Sequence, residues 1–193
     1  MNSTASWRTV DIVVTAAIAV AFGVVYWAWS LVYSAVQPAF AFFQPAQNII
    51  DGVWLIAGVL AGLVVRKPGA ALFAELVAAS IEALLGGQWG LDTLVSGAVQ
   101  GFGAEIVFAL FRYRVWDMRV AILAAAASAI GGWLHDVPVY YAELSPSDWL
   151  VLLVIYLISA VVIAGIGSWW LFTALVRSGV LAQFESGRMQ ARV

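Results

Sequence analysis

The sequence predicts an all-α membrane protein, a six-transmembrane-helix bundle forming one domain over residues 1–193 with both termini cytoplasmic. Three observations predict it. The chain is 64% hydrophobic and only 10% charged, whereas a soluble domain carries about 45–50% apolar and roughly 25% charged residues. Six apolar stretches, 10–36, 48–66, 69–86, 92–112, 118–136 and 147–177, can cross ~30 Å of hydrocarbon, which takes ~20 helical residues. All nine basic residues fall on connections or ends that six spans put on one side.

The first span is too long for the apolar region of a signal peptide and no convincing cleavage site follows, so it reads as retained. The connection after it, "QPAFAFFQPAQ", holds two Gln-Pro pairs around three phenylalanines. Proline removes a donor and restricts its predecessor, so no helix should run through. The segment is either a polar turn with an interfacial rim or a lid whose aromatics close over a pocket.

Span two opens with Gln47, Asn48, Asp51 and Trp54, then carries Gly58 and Gly62 at a spacing that brings helices close. Span three, after "RK", carries Glu75 and Glu82. Seven residues apart, they share one face about 10.5 Å apart along the axis. Glu82 falls about 6 Å below the outer boundary and Glu75 about 16 Å below it. A carboxylate at that depth costs roughly 2.5–3.5 kcal/mol, so both must face the bundle interior or water. The turn "GGQWG" then presents Gln88 and Trp89.

Span four has Asp92, Ser96, Gln100 and Gly103 on one descending face. Gln100 both donates and accepts, which suits a heteroaromatic ring edge; an interhelical hydrogen bond is the simpler role. Glu105 points about 140° away from it, toward a partner protein or the inner arginines. Span five is rich in small residues and ends with Trp133, His135 and Asp136. A histidine–aspartate pair at an interface is more often a local hydrogen bond than a metal site. Span six starts with Ser145 as N-cap, Pro146 at the first helical position and Asp148 in the first turn.

Arg8, Arg66, Lys67, Arg112, Arg114, Arg119, Arg177, Arg188 and Arg192 share one side, which the positive-inside rule makes cytoplasmic. The opposite side is acidic and aromatic, with Asp51, Asp92, Asp136, Glu143 and Asp148 among Trp27, Trp29, Trp54, Trp89, Trp133, Tyr140, Tyr141 and Trp149. Many such rings form an interfacial belt. Rings beside carboxylates also suit an organic cation.

The sequence has no cysteine, one lysine and one histidine. It lacks a P-loop, a zincin motif and a nucleophile elbow. An enzyme is not expected, nor a cofactor, a metal or a nucleic-acid partner; a small-molecule binding or transport role fits.

With "VVTAAIAVAFGVVYWAWS" in span one and "AELVAASIEALLGGQWG" across span three, the whole chain resembles the substrate-binding (S) components of energy-coupling-factor vitamin transporters. Within them it looks most like the thiamin/hydroxymethylpyrimidine, YkoE-type branch. The resemblance implies a bacterial inner-membrane, multi-pass protein that binds thiamin or a related aminopyrimidine. It implies partnership with a transmembrane coupling protein and ATPase subunits, whose energy topples the bundle in the lipid bilayer. It also implies that a small-residue stripe of span one docks on the coupling protein. Ala17 and Ala21 fit that stripe, with Ala28 two turns on; Ala19 and Gly23 form a parallel small pair.

The expected site lies in the outer half. Glu82 and Glu75 form an acidic wall, and Gln100 reads polar ring atoms. Trp89, Trp133 and Trp54 stack on the ligand, while Asp51, Gln47, Gln88 and His135 rim the mouth. The competing readings are a stand-alone proton-coupled carrier of organic cations and a non-transporting scaffold whose acids only pair helices.

Overall fold

The structure, a computed structural model, describes residues 6–182, 184, 186 and 187. Arg188 and Arg192 of the expected basic side lie outside the described residues. The chain forms α1 (Thr9–Val36), a short 3-10 turn (Gln37–Phe40), a 3-10 segment (Gln44–Leu55), α2 (Ile56–Val65), α3 (Ala70–Leu84), α4 (Asp92–Leu110), α5 (Met118–Tyr140) and α6 (Pro146–Ser159). A π-helical segment (Ala160–Ile166) then leads into α7 (Gly167–Arg177). The six-helix bundle expected from the sequence is present, with the last three elements making one long span.

Five stretches among the described residues are long and apolar enough to cross a membrane: Thr9–Phe40, Gln44–Val65, Asp92–Leu110, Met118–Tyr140 and Pro146–Arg177. The remaining helix, α3, has only 15 residues and so covers about 22 Å. It packs on α1, α2 and α4, and it is the helix that carries both glutamates. Protein rather than lipid surrounds its polar face.

The second and sixth spans are not regular α-helices, which the sequence reading did not foresee. A 3-10 run of 12 residues is unusual, because its hydrogen bonds are poorly aligned and its side chains eclipse. Its support comes from the sixth span. The Gly52 N–H donates to Ser159 Oγ at 2.8 Å, and Ser159 Oγ donates to the Ile49 carbonyl at 2.7 Å. A Cβ on Gly52 would lie 2.5 Å from the Ser159 carbonyl oxygen, so only glycine allows the approach. Ser159 immediately precedes the π-segment, so the two irregular stretches satisfy each other inside the protein. Irregular backbone at membrane depth is tolerated only in such a place.

α2 is buried along nearly its whole length and is the centre of the bundle. Gly62 lies against the Phe108 ring and Gly103 against the Ala127 carbonyl, as close helix packing requires. At the basic end, the Arg66 guanidinium sits 5.3 Å from the Trp116 ring and 5.7 Å from Phe172. Glu105 finds its partners within the chain, at the start of α3. Its carboxylate accepts from the backbone N–H of Gly69 (2.7 Å) and Ala71 (3.0 Å) and from the Tyr113 hydroxyl (2.7 Å). The start of α3 offers unpaired donors and a positive helix end, and they draw the carboxylate.

At the other end, α5 runs through Pro138 to Tyr140, four residues past its expected limit at 136. Pro138 lies in the final turn, where a kink is easily absorbed. Ser145 caps α6 by accepting from the Asp148 N–H at 3.3 Å, with Pro146 at the first position as expected.

Candidate functional site

A cavity of about 270 Å³ opens at the end of the bundle away from the arginines. Its deepest carboxylate is Glu75, 1% exposed. The Gly58 N–H donates to Glu75 Oε1 at 2.7 Å, and the Tyr26 hydroxyl lies 3.2 and 3.3 Å from its two oxygens. That same hydroxyl accepts from the Ala57 N–H at 2.9 Å. Glu75 thus lines the cavity and also ties α3 to α1 and α2.

Two turns toward the mouth, Glu82 Oε1 accepts from the Ser30 hydroxyl at 2.5 Å and from the Trp54 indole N–H at 3.2 Å. Among the described residues, Oε2 receives no hydrogen bond. Beside it stand three rings, each edge-on to the others: Tyr33–Trp54 at 5.4 Å, Tyr33–Trp89 at 5.5 Å and Trp54–Trp89 at 5.3 Å. T-shaped contacts at such distances are a favoured aromatic arrangement. They hold the rings in place along one side of the cavity.

α4 and α5 supply the opposite wall. Gln100 Nε2 donates to Ser96 Oγ at 2.9 Å and to the Tyr156 hydroxyl at 3.3 Å, which leaves its carbonyl oxygen to accept. Nearer the mouth, Asp92 accepts from the Tyr140 hydroxyl, and His135 bridges Asp92 (3.3 Å) and Asp136 (2.8 Å). Asp51 on the 3-10 segment is 8% exposed and lines the cavity, yet its Oδ1 is buried without a hydrogen-bond partner among the described residues.

Of the side chains proposed from the sequence, Glu75, Glu82, Gln100, Trp54, Trp89, Asp51 and Gln88 meet at this cavity. Three do not line it. Gln47 is turned back to donate to the Tyr33 carbonyl at 2.9 Å. The Trp133 indole donates to the Trp149 carbonyl at 2.8 Å and fastens α5 to α6. His135 is occupied by its two aspartates, which themselves face the cavity. In the first external connection, Gln37 and Gln44 line the cavity, whereas Phe42 is 87% exposed and no phenylalanine of this segment lines it. Aromatics closing as a lid are therefore not what this connection presents.

Tyr26, Tyr33, Gln37 and Tyr156 were missed, although the first three carried a signal. Tyr26, Ser30, Tyr33 and Gln37 follow i, i+4, i+7 and i+11, a polar stripe down one face of span one. It matches the stripe recognised on span four. Tyr156 stands alone in an apolar run and announces nothing.

The small-residue stripes of α1 separate cleanly. Ala19 and Gly23 are buried, with Gly23 against Ala78 and Ile81 of α3. Ala17, Ala21 and Ala28 are exposed on the outer face.

Comparison with known proteins agrees with this architecture. Residues 10–131 match the family model described as the permease component of an ABC-type cobalt transport system. The putative HMP/thiamine permease protein YkoE of Bacillus subtilis (strain 168) is 38% identical over 186 residues, covering 95% of this chain and 92% of that one. A solved crystal structure of an S-component of an ECF transporter superposes with a TM-score of 0.92 at 36% identity, over 97% of this chain and 94% of that one. These relatives are transporter components, not enzymes. Six helices around a cavity at the end away from the arginines, the length-wide likeness to YkoE and the superposition give one conclusion: the chain belongs to the S components of ECF transporters, multi-pass inner-membrane proteins, on the branch related to YkoE.

Proposed function

We propose that this chain binds thiamin or its hydroxymethylpyrimidine precursor with high affinity in the outer cavity, and that a transmembrane coupling protein and ATPase subunits power its uptake. One observation carries the reading: three interlocked rings, Tyr33, Trp54 and Trp89, stand beside the Glu82 carboxylate. An aromatic cation gains from both at once, about 0.5–2 kcal/mol from each ring face it covers and more from the charge. The cavity volume of about 270 Å³ lies near the lower end of small-ligand sites, which span about 300–1,000 Å³. That suits a compact vitamin. The name of the Bacillus subtilis relative supports the same ligand class. Among the described residues, no group of three or more His, Cys, Asp or Glu is placed to hold a metal ion.

Orientation with both termini inside puts the cavity mouth outside, where an uptake substrate arrives. The exposed Ala17 and Ala21 face of α1 is open to a partner helix, because small residues let backbones approach closely. Calorimetric titration of the purified chain tests the proposal. The expected result is saturable binding of thiamin or hydroxymethylpyrimidine, weakened about tenfold or more by Glu82→Gln, the scale of a charge-assisted hydrogen bond. Absence of binding to either ligand would remove the assignment. Uptake by the reconstituted chain under a pH gradient without ATPase subunits would favour a proton-coupled carrier.

A further inference from the structure

The arginines at the end of the bundle away from the cavity differ in how they are used. Arg8 pairs with Asp11 at 2.8 Å, and Arg66 lies over the Trp116 and Phe172 rings. Arg112, Arg114 and Arg119 belong to the connection from α4 to α5 and its edge. They are exposed, and their side chains make no hydrogen bond or ion pair among the described residues. The described carboxylates of this end are committed elsewhere. Asp11 holds Arg8, Glu105 holds the start of α3 and Tyr113, and Asp117 caps α5 by accepting from the Val120 N–H at 2.9 Å.

The backbone holds these cations where local preference would not put them. The Tyr113 N–H donates to the Phe108 carbonyl at 2.9 Å and the Arg112 N–H to the Ala109 carbonyl at 2.8 Å, the paired bonds of a Schellman helix end. Glycine normally takes the left-handed position of that motif. Here Arg112 and Tyr113 both have φ 54°, which is costly for any residue with a Cβ. The turn is nonetheless pinned. The Tyr113 hydroxyl donates to Glu105 at 2.7 Å, and the Trp116 ring lies 5.4 Å from the buried Phe108 ring. An arginine at the close of α4 complements that helix's dipole, but the effect fades within a turn and does not reach Arg114. Arg119 stands in the first turn of α5, the end of a helix that disfavours a cation.

An anion from outside the chain offsets these costs, and the setting says which kind. α4 and α5 are both long and apolar enough to cross the membrane, so their connection lies where hydrocarbon gives way to headgroups. Val115 and Met118, each 40% exposed, alternate with the arginines, and Leu110 just before them is 74% exposed. Apolar side chains flanked by guanidinium groups match acyl chains beneath phosphates. The small-residue face open to a partner helix lies on α1, which packs on α2 and α3, whereas α5 packs on α4 and the sixth span. We propose that the connection 112–119 binds the phosphate headgroup of an anionic phospholipid. Arg112, Arg114 and Arg119 take the phosphate oxygens, which the guanidinium fork fits in pairs, and Val115 and Met118 lie against the acyl chains.

The test adds equal amounts of phosphatidylglycerol and phosphatidylcholine with matched acyl chains to the detergent-purified full chain. Native mass spectrometry then counts the retained lipids. The parent is expected to favour phosphatidylglycerol by about tenfold or more, since each arginine near a lipid surface contributes roughly fivefold. Arg112→Gln, Arg114→Gln and Arg119→Gln should each lower that preference about fivefold, and together bring the two lipids close to parity. Arg177→Gln removes an exposed arginine of the same end, on α7, and should keep the parent's preference. Melting temperatures of the single variants should match the parent, because these side chains are exposed and unpaired within the described residues. Equal retention of both lipids by the parent overturns the proposal, as does a loss in Arg177→Gln as large as in the site variants. Displacement of the lipid by an equal concentration of glycerol phosphate marks a site for free phosphate and overturns it too. Loss of coupling-protein co-purification in the triple variant, with lipid preference intact, assigns the surface to a protein and has the same effect.

Discussion

Gly58 and Glu75 are fitted to each other. The Gly58 N–H donates to Glu75 Oε1 at 2.7 Å, and a Cβ on Gly58 would stand only 2.7 Å from Glu75 Cγ. The deepest acid of the cavity is thus seated in a notch that one particular glycine leaves open.

Gly58→Ala should therefore push the Glu75 side chain out of its seat. The Ala71 carbonyl, 3.2 Å from the same point, limits sideways escape. Overpacking of this kind costs about 1–3 kcal/mol. The expected outcome is a lower melting temperature in detergent, accompanied by weaker ligand binding because Glu75 also lines the cavity. Parent-like melting would mean that Glu75 relocates freely.

The glutamates themselves were legible because a carboxylate in an apolar run has few permitted surroundings. Their depth and common face followed from helical rise. Glu105 had the same visibility, yet its destination was misjudged. A helix start 34 to 36 residues back in sequence is a donor cluster that only tertiary structure brings near. Gln47, Trp133 and His135 show the complementary error: outer-end polar residues whose groups were consumed by neighbouring backbone or side chains. The 3-10 segment and the π-segment escaped notice because each exists through Gly52 and Ser159 meeting, a contact across 107 residues. Local propensity holds no trace of it.

Glu105 offers the second prediction. Its carboxylate meets the N–H groups of Gly69 and Ala71 at the start of α3 and takes the Tyr113 hydroxyl. Glu105→Ala leaves those donors unpaired and should destabilise the chain by about 0.5–2 kcal/mol, the range of a lost helix cap. Thermal unfolding measures the loss, and calorimetry should find ligand affinity unchanged, because Glu105 does not line the cavity. A Glu105→Ala protein as stable as the parent would show that water satisfies the helix start equally well.

Sidedness gives the third. The sequence has no cysteine, so single cysteines report cleanly. Phe42, 87% exposed in the connection after α1, and the exposed Arg114 between α4 and α5 lie on opposite ends of the bundle. In intact cells a membrane-impermeant maleimide should label Phe42→Cys and spare Arg114→Cys, while a permeant one labels both. The positive-inside rule demands this order. The reverse pattern would turn the cavity toward the cytoplasm and defeat an uptake role.

The outer face of α1 supplies the last. Ala17 and Ala21 are exposed, one turn apart, and no element among the described residues covers them, whereas Ala19 and Gly23 on the inner face are occupied by α3. If a partner helix closes on the outer stripe, its gain comes from backbone proximity that any larger side chain abolishes. Ala17→Leu combined with Ala21→Leu adds only apolar surface toward lipid, so folding and ligand titration should match the parent. Co-purification with the coupling protein and ATP-dependent uptake in reconstituted vesicles should both fall by about tenfold or more, since 1–2 kcal/mol of lost helix association already approaches that factor. Full uptake by the double variant would move the docking surface elsewhere on the bundle.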